Sequence, residues 1–249
     1  MSQPFEGICD DFHCNMRLGS QLALPQSRET VLHFFEMVQK SYPSLTRFRR
    51  NDQGDFSLEE ERSAESHRWV SIEGARLSSG CVNPIDVEAA IKLHEYVLEL
   101  APYELGVSPI EVDHLDLLYG FDLDYRGNHD ELIAETIYQN SPLGAMFETE
   151  GVRAIDFQPS ITVALNEDLR MQARVDIATR TSTQQIRSGE FAEDAISVYL
   201  IVRRYWGDRP KIKLSEMIRE LNQKADQLAR EIVIPRIVRP VAEAIASRS

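Results

Sequence analysis

HLDLLYGFDLDYRGNHDEL, residues 114–132, is the stretch whose reading decides the fold. Its second part, FDLDYRGNHDEL, places Asp122, Asp124 and Gly127 where a calcium loop has positions 1, 3 and 6. Such a loop also needs oxygen ligands at positions 5 and 9 and a bidentate glutamate at 12. Position 5 is Arg126, a cation, and position 12 is Ile133, which has no oxygen to offer. Upstream, Leu115, Leu117, Tyr119, Phe121, Leu123 and Tyr125 alternate with Asp116, Leu118, Gly120, Asp122 and Asp124. A period of two is a strand, where a calcium loop needs a helix. Downstream, Asn128 followed three residues later by Glu131 fits a capping box opening HDELIAETIYQN. The stretch reads as a strand, a turn at Arg126-Gly127 and a capped helix, with no metal site.

Working outward, the same order of elements appears on both sides of a connector, APYELGVSPIE (101–111), which holds two prolines and a glycine. Before it come a strand at 12–18, a helix from Ser27 to about Lys40, strands TRFRR and FSLEEE, and a longer strand RWVSIEGARL (68–77). A helix then opens at Asn83-Pro84, read as N-cap and first-turn proline. After the connector come the strand at 113–125 and the helix at 129–140. Three strands follow, AIDFQPSITVAL (154–165), MQARVDIATRT (171–181) and AISVYLIVRRYW (195–206), and a long amphipathic helix begins near Ser215. Each part reads β-α-β-β-β-α. The expected fold is α+β: a tandem duplication, 1–111 and 112–249, forming one curved antiparallel sheet with helices on one face. This layout is similar to the saddle of TATA-binding-protein-like domains, as a fold-level analogy; a helix-grip layout is the main alternative.

The chain has 249 residues, 43% of them hydrophobic, enough to bury a sizeable core. No run of 18 or more apolar residues occurs, so no membrane span is expected. The opening MSQPFEGICDDFHC lacks the basic and apolar regions of a secretory signal, and a cytoplasmic location is expected. Three cysteines, Cys9, Cys14 and Cys81, are an odd number and make no disulfide framework. Cys9, His13 and Cys14 do not have a zinc spacing, and a strand there would turn His13 and Cys14 to opposite faces. Neither a metal nor a cofactor is expected. The net charge of −13 repels phosphate backbones, which argues against nucleic acid. The one dense basic cluster, RFRR (47–50), precedes FSLEEE (56–61), and a hairpin turning at NDQGD would set the two against each other.

The strand alternation yields the candidate site. Asp116, Asp122 and Asp124 share the polar side of their strand. Arg174, Asp176 and Arg180, with Gln172, share one side of 171–181, and Tyr199, Arg203 and Tyr205 share a parity in the last strand. His13, Asn15 and Arg17 share one in the first. Were these polar sides one face of one sheet, it would be either a solvated surface with its charges paired across strands, or a binding surface. In the second case Arg174, Arg180 and Arg203 would hold an anionic group, with the aspartates orienting it and Tyr199 as a rigid rim.

Other chemistry is sparse. None of the patterns GxSxG, GxxxxGK[ST], GxGxxG and HExxH occurs. His94 and His33 read as core or boundary residues, His114 beside Asp113 as a weak acid/base pair, and Cys81 in SSGC as a structural thiol. Met146 and Phe147 read as exposed, and STQQIRSGEFAED (182–194) as a lid or a hairpin loop. The C-terminal tail carries Ile232, Val233, Ile234, Ile237, Val238 and Val241, with Pro235 and Pro240 expected to bend it. So apolar a tail must dock on its own domain or form a homodimer interface. The function expected is a non-catalytic binding or assembly protein, with a protein partner or a small polar ligand, acting through the polar sheet face or the tail. The alternative is a small-molecule enzyme with an Asp/Arg site in the sheet concavity.

Overall fold

The computed structural model describes residues 5, 7–62, 66–139, 141–142, 144–147, 149–206 and 213–248. Its strands are β1 (Asp11–Ser20), β2 (Arg47–Arg50), β3 (Phe56–Glu59), β4 (His67–Glu73), β5 (Arg76–Val82), β6 (Val112–Tyr125), β7 (Ser160–Ala164), β8 (Met171–Ala178) and β9 (Asp194–Tyr205). The helices are α1 (Arg28–Ser41), α2 (Val87–Glu104), α3 (His129–Tyr138), α4 (Thr183–Ser188), α5 (Leu214–Leu228) and α6 (Arg239–Ala246). The strands make one antiparallel sheet in the order β2-β3-β4-β5-β1-β6-β9-β8-β7. Read outward from the central β1–β6 pair, one flank is β5-β4-β3-β2 and the other β9-β8-β7. The fold is α+β.

The alternating strands place their apolar side chains toward the helices. Phe12, Cys14, Met16 and Leu18 of β1 stand opposite Phe121, Tyr119, Leu117 and Leu115 of β6, and all are buried. The same side continues through Ile196, Val198, Leu200 and Val202 of β9. α2 lies over β1 and β5, and α5 over β6 and β9. Tyr119 donates from its hydroxyl to Asn222 Oδ1 at 2.6 Å, so the largest side chain of the central pair buries its ring and satisfies its polar end on α5. α1 closes the other flank with Val31, Phe34, Phe35 and Val38, and Ser27 Oγ accepts from the Thr30 N–H at its N-cap. Asn128 caps α3 as expected, its Oδ1 accepting from the Asp130 and Glu131 N–H groups, although the return bond from Glu131 that would complete a capping box is not among the hydrogen bonds of the described residues. NDQGD is likewise a hairpin turn, with Arg47 opposite Glu59.

Several expectations give way. RWVSIEGARL is two strands, because Gly74 adopts φ +58° and the chain turns back with Glu73 opposite Arg76. The first part of the chain therefore carries one strand more than β-α-β-β-β-α. Asn83 is not a helix cap. It sits at φ +44°, accepts from the Phe12 N–H at 2.8 Å and donates to Asp11, while Asp86 caps α2. That helix runs on through Pro102, so part of the expected connector is its last turn. AIDFQPSITVAL pairs only over Ser160–Ala164. Residues 182–194 contain α4, opened by a Ser182/Gln185 capping box and ended by Gly189 at φ +74°. His33 is exposed and pairs with Glu104 at 3.1 Å. Met146 is exposed, but Phe147 packs edge-on against Phe157.

The two C-terminal prolines do not break the tail. A π-helical stretch, Ala229–Val238, joins α5 to α6 without a gap. Pro235 would clash with a carbonyl four residues back in an α-helix; the wider i→i+5 spacing of a π-helix relieves this. Val233, Ile234, Val238 and Val241 are buried in the chain's own core, Ile237 is half-buried, and Ile232 is exposed.

Candidate functional site

The face of the sheet away from the helices gathers the other parity of every strand. The pairing register runs as continuous rows across it. One row is Trp69, Gly80, Asn15, Leu118, Ile201, Arg174 and Thr162. Beside it lie Ser71, Ser78, Arg17, Asp116, Arg203 and Gln172, and on the other side His13, Gly120, Tyr199 and Asp176. Two glycines leave room for rings. A Cβ at Gly80 would collide with the Trp69 ring and Asn15 Oδ1, and one at Gly120 would lie 3.2 Å from the Tyr199 ring and from His13 Cβ. Trp69, Leu118, Tyr199 and Ile201 are half-buried, so the middle of the face is broad and partly apolar. Asn15 Oδ1 is buried beneath Trp69 and has no hydrogen-bond partner among the described residues.

The charged residues of the face hold one another. Arg203 donates through Nε to Asp116 Oδ1 at 2.6 Å and through Nη2 to Oδ2 at 2.7 Å, and Nη1 donates to the Tyr205 hydroxyl at 3.0 Å. The bonds to Asp116 outweigh burial and push the Arg203 guanidinium pKa up. His114 joins this group, with Nε2 3.9 Å from Asp116 and Nδ1 2.8 Å from Asp113. A second group centres on Asp122, which takes His13 Nε2 at 2.9 Å and the Ser197 hydroxyl at 2.5 Å. Burial works to raise the Asp122 pKa, but the bonds from His13 and Ser197 prevail and hold it below the usual carboxylate value. Arg180 donates through Nη2 to Ser197 Oγ at 2.8 Å and through Nη1 to the Ala195 carbonyl. Arg174 and Asp176 form a third pair at 2.8 Å along β8.

The sequence-derived residues thus fall into separate pairs, not one convergent centre. Asp116 meets Arg203, Asp122 meets Arg180 through Ser197, and Arg174 meets Asp176, with Tyr199 next to Asp176 in register. Asp124 stands apart at the exposed end of β6, where its backbone N–H donates to Asp10. Burial and then the charges of Asp10, Asp11, Glu193 and Asp122 raise its carboxyl pKa. Sequence reasoning missed Trp69, because treating 68–77 as one strand hid the turn that sets β4 beside Gly80. It also missed Ser197 and Ile201, although both share the parity of Tyr199 and Arg203.

Away from this face, burial governs the remaining histidine and thiols singled out in the sequence. His94 is fully buried between Ser79 Oγ, 2.7 Å from Nδ1, and Cys14 Sγ, 3.8 Å from Nε2. Burial lowers its pKa to about 3. Burial likewise pushes the Cys81 and Cys9 thiols up to about 12, so none is poised as a nucleophile. A cavity of about 580 Å³ opens between Cys81, Ala89 and Ala90 on one side and Arg68 and Glu60 on the other. Its two charged walls bind each other, Arg68 Nε and Nη2 donating to Glu60 Oε1 at 3.0 and 2.6 Å.

No protein-family model and no curated protein matches the chain. Among solved structures it is similar to the crystal structure of the di-domain ARO/CYC BexL from the BE-7585A biosynthetic pathway. The identity is 8% over 95% of this chain and 99% of that one, with a TM-score of 0.24.

Proposed function

We propose that this is a non-catalytic binding protein whose working surface is the open face of its sheet, with a protein surface or a small polar ligand as partner. The observation that carries the reading is the mutual pairing of the charges at Asp116–Arg203 and Arg174–Asp176, with Asp122 held by hydrogen bonds from His13 and Ser197. Groups already neutralised by neighbours suit a rigid surface that presents shape, rings and fixed hydrogen-bonding edges. An Asp/Arg enzyme would instead need unpaired groups converging on one reacting atom. Under this proposal Asp116, Asp122, Asp124, Arg174, Asp176, Arg180 and Arg203 form the polar frame, and Tyr199 with Trp69, Leu118 and Ile201 the contact centre. We further infer that the sheet is built from two related parts meeting near residue 111, since its strand order runs outward in matching succession from β1 and β6.

Native mass spectrometry of the purified chain tests the reading. A retained ligand or bound protein is expected, and Ile201→Glu, at a half-buried position in the middle of the face, should abolish it without lowering the melting temperature. Lys224→Glu, on an exposed helix position, should leave it in place. Retention by Ile201→Glu, or no retained species from the unaltered chain, would overturn the proposal.

A further inference from the structure

The two edges of the sheet differ in kind. β2, RFRR, is exposed at every residue and carries three arginines, a charged edge of the sort that discourages strand addition. β7, SITVA, is also exposed at every residue, yet it has no charge and no proline. Its pairing with β8 fixes which backbone groups point outward. The Leu165 N–H donates to the Met171 carbonyl and the Ile177 N–H to the Pro159 carbonyl. By the alternation of an antiparallel ladder, Ile161 and Val163 then bond to β8, and the N–H and C=O groups of Ser160, Thr162 and Ala164 face away from the sheet.

We infer that β7 is a self-association edge, and that its occupant is β7 of a second copy of this chain, related by a two-fold axis through Thr162. The register closes without remainder. Thr162 exchanges both backbone bonds with Thr162 of the second copy, and Ser160 does so with Ala164 on either side. Every outward group of the strand gains a partner. The same axis sets Ile161 opposite Val163 in the closer, non-hydrogen-bonded positions, where β-branched pairs favour each other. These two side chains lie on the helix side of the sheet yet are 62% and 46% exposed, so the contact removes apolar surface from water. The alternative, β7 on β2 of a second copy, would be a head-to-tail contact that leaves one edge of each kind open, and the arginine edge is of a kind that discourages strand addition. The contact is therefore isologous and closes at a dimer.

An edge of this length gives a contact below the size of tight interfaces, so the association belongs to the weak, reversible class. Glu167 and Asp168 after the strand and Asp156 before it approach across the axis, so the measurement is made at 0.15 M salt or above, where the Debye length is about 8 Å or less. Sedimentation equilibrium of the full chain should show a monomer–dimer equilibrium that shifts with concentration. Thr162→Pro removes an outward N–H and no bond to β8, so it should keep the melting temperature and weaken association by roughly 100-fold. Val163→Lys, which sets a charge against Ile161 of the second copy, should do the same. A chain that stays monomeric at millimolar concentration, variants that associate as well as the unaltered chain, or growth beyond a dimer would each overturn the inference.

Discussion

Arg203 and Asp116 stand directly opposite each other on β9 and β6 and share two parallel hydrogen bonds of 2.6 and 2.7 Å. The carboxylate is 5% exposed, whereas the guanidinium side chain keeps about a third of its surface in water. Removing the arginine would strand a nearly buried negative charge. Arg203→Ala should therefore cost about 1–3 kcal/mol of stability, below the range for fully buried pairs because solvent reaches the arginine. The double variant Asp116→Ala/Arg203→Ala should cost less than the sum of the single ones by about 1–2 kcal/mol. Urea unfolding of the four proteins measures this, and strict additivity would mean that the pair is not coupled.

His94 makes stability depend on pH in a defined direction. Unfolded, its imidazole takes a proton near pH 6.5; folded, burial delays this to about pH 3. Between those values the unfolded chain binds more protons, so stability falls as pH drops through the window and is complete above 6.5. The loss is about 1.4 kcal/mol per pH unit, or about 2 kcal/mol on going from neutrality to pH 5. Burial also lowers the pKa of His129, which adds a loss of the same sign. His94→Gln should shrink the difference between unfolding at pH 7 and pH 5 without removing it. An undiminished difference would relieve His94 of this role.

The three thiols should be inert while the fold is intact. Cys14 and Cys81 are buried and Cys9 is partly so, and burial raises all three pKa values. A thiol reagent at pH 8 should label native protein at least about 100-fold more slowly than protein in guanidinium, where all three react. Prompt labelling of Cys81 in the native state would point to an opening of the adjoining cavity.

Gly80→Ala tests the packing of the open face. Its new methyl would collide with the Trp69 ring and Asn15. A loss of about 1–3 kcal/mol is expected, with a shift in tryptophan emission as the Trp69 ring moves outward. Trp69→Ala in the same chain should recover part of that loss. If Gly80→Ala alone were neutral, the ring would not be held against the glycine.

The elements legible in the sequence are those written in local periodicity. β6 and α3 follow from alternating leucines and an Asn128 cap, and the hairpin of β2 and β3 from opposed charge around NDQGD. What stayed hidden depends on single backbone states or on distant partners. Gly74 looks like any glycine inside a strand until its positive φ turns the chain. Asn83-Pro84 resembles a helix start, but the side chain of Asn83 is taken by β1, some seventy residues away in sequence. The polar face could be read strand by strand; its rows could not, since register is set by pairing between distant segments. Hence the alternation marks Arg203 and Asp116 each as polar-face residues, but not as partners.

The π-helical stretch also acts on angular phase. An α-helix turns about 100° per residue, and a steady apolar stripe drifts around it unless the spacing compensates. From Ala225 the buried positions are Ala229, Val233 with Ile234, Val238 and Val241, steps that an i→i+5 winding keeps pointing one way. The widened turns work as a gear that slows the rotation of the tail, so that α6 arrives with Val241 still facing inward. Wound as ordinary α-helix at this length, the tail would bring Val238 and Val241 round to the wrong side, whereas with one residue fewer an α-helix could carry the same side chains inward.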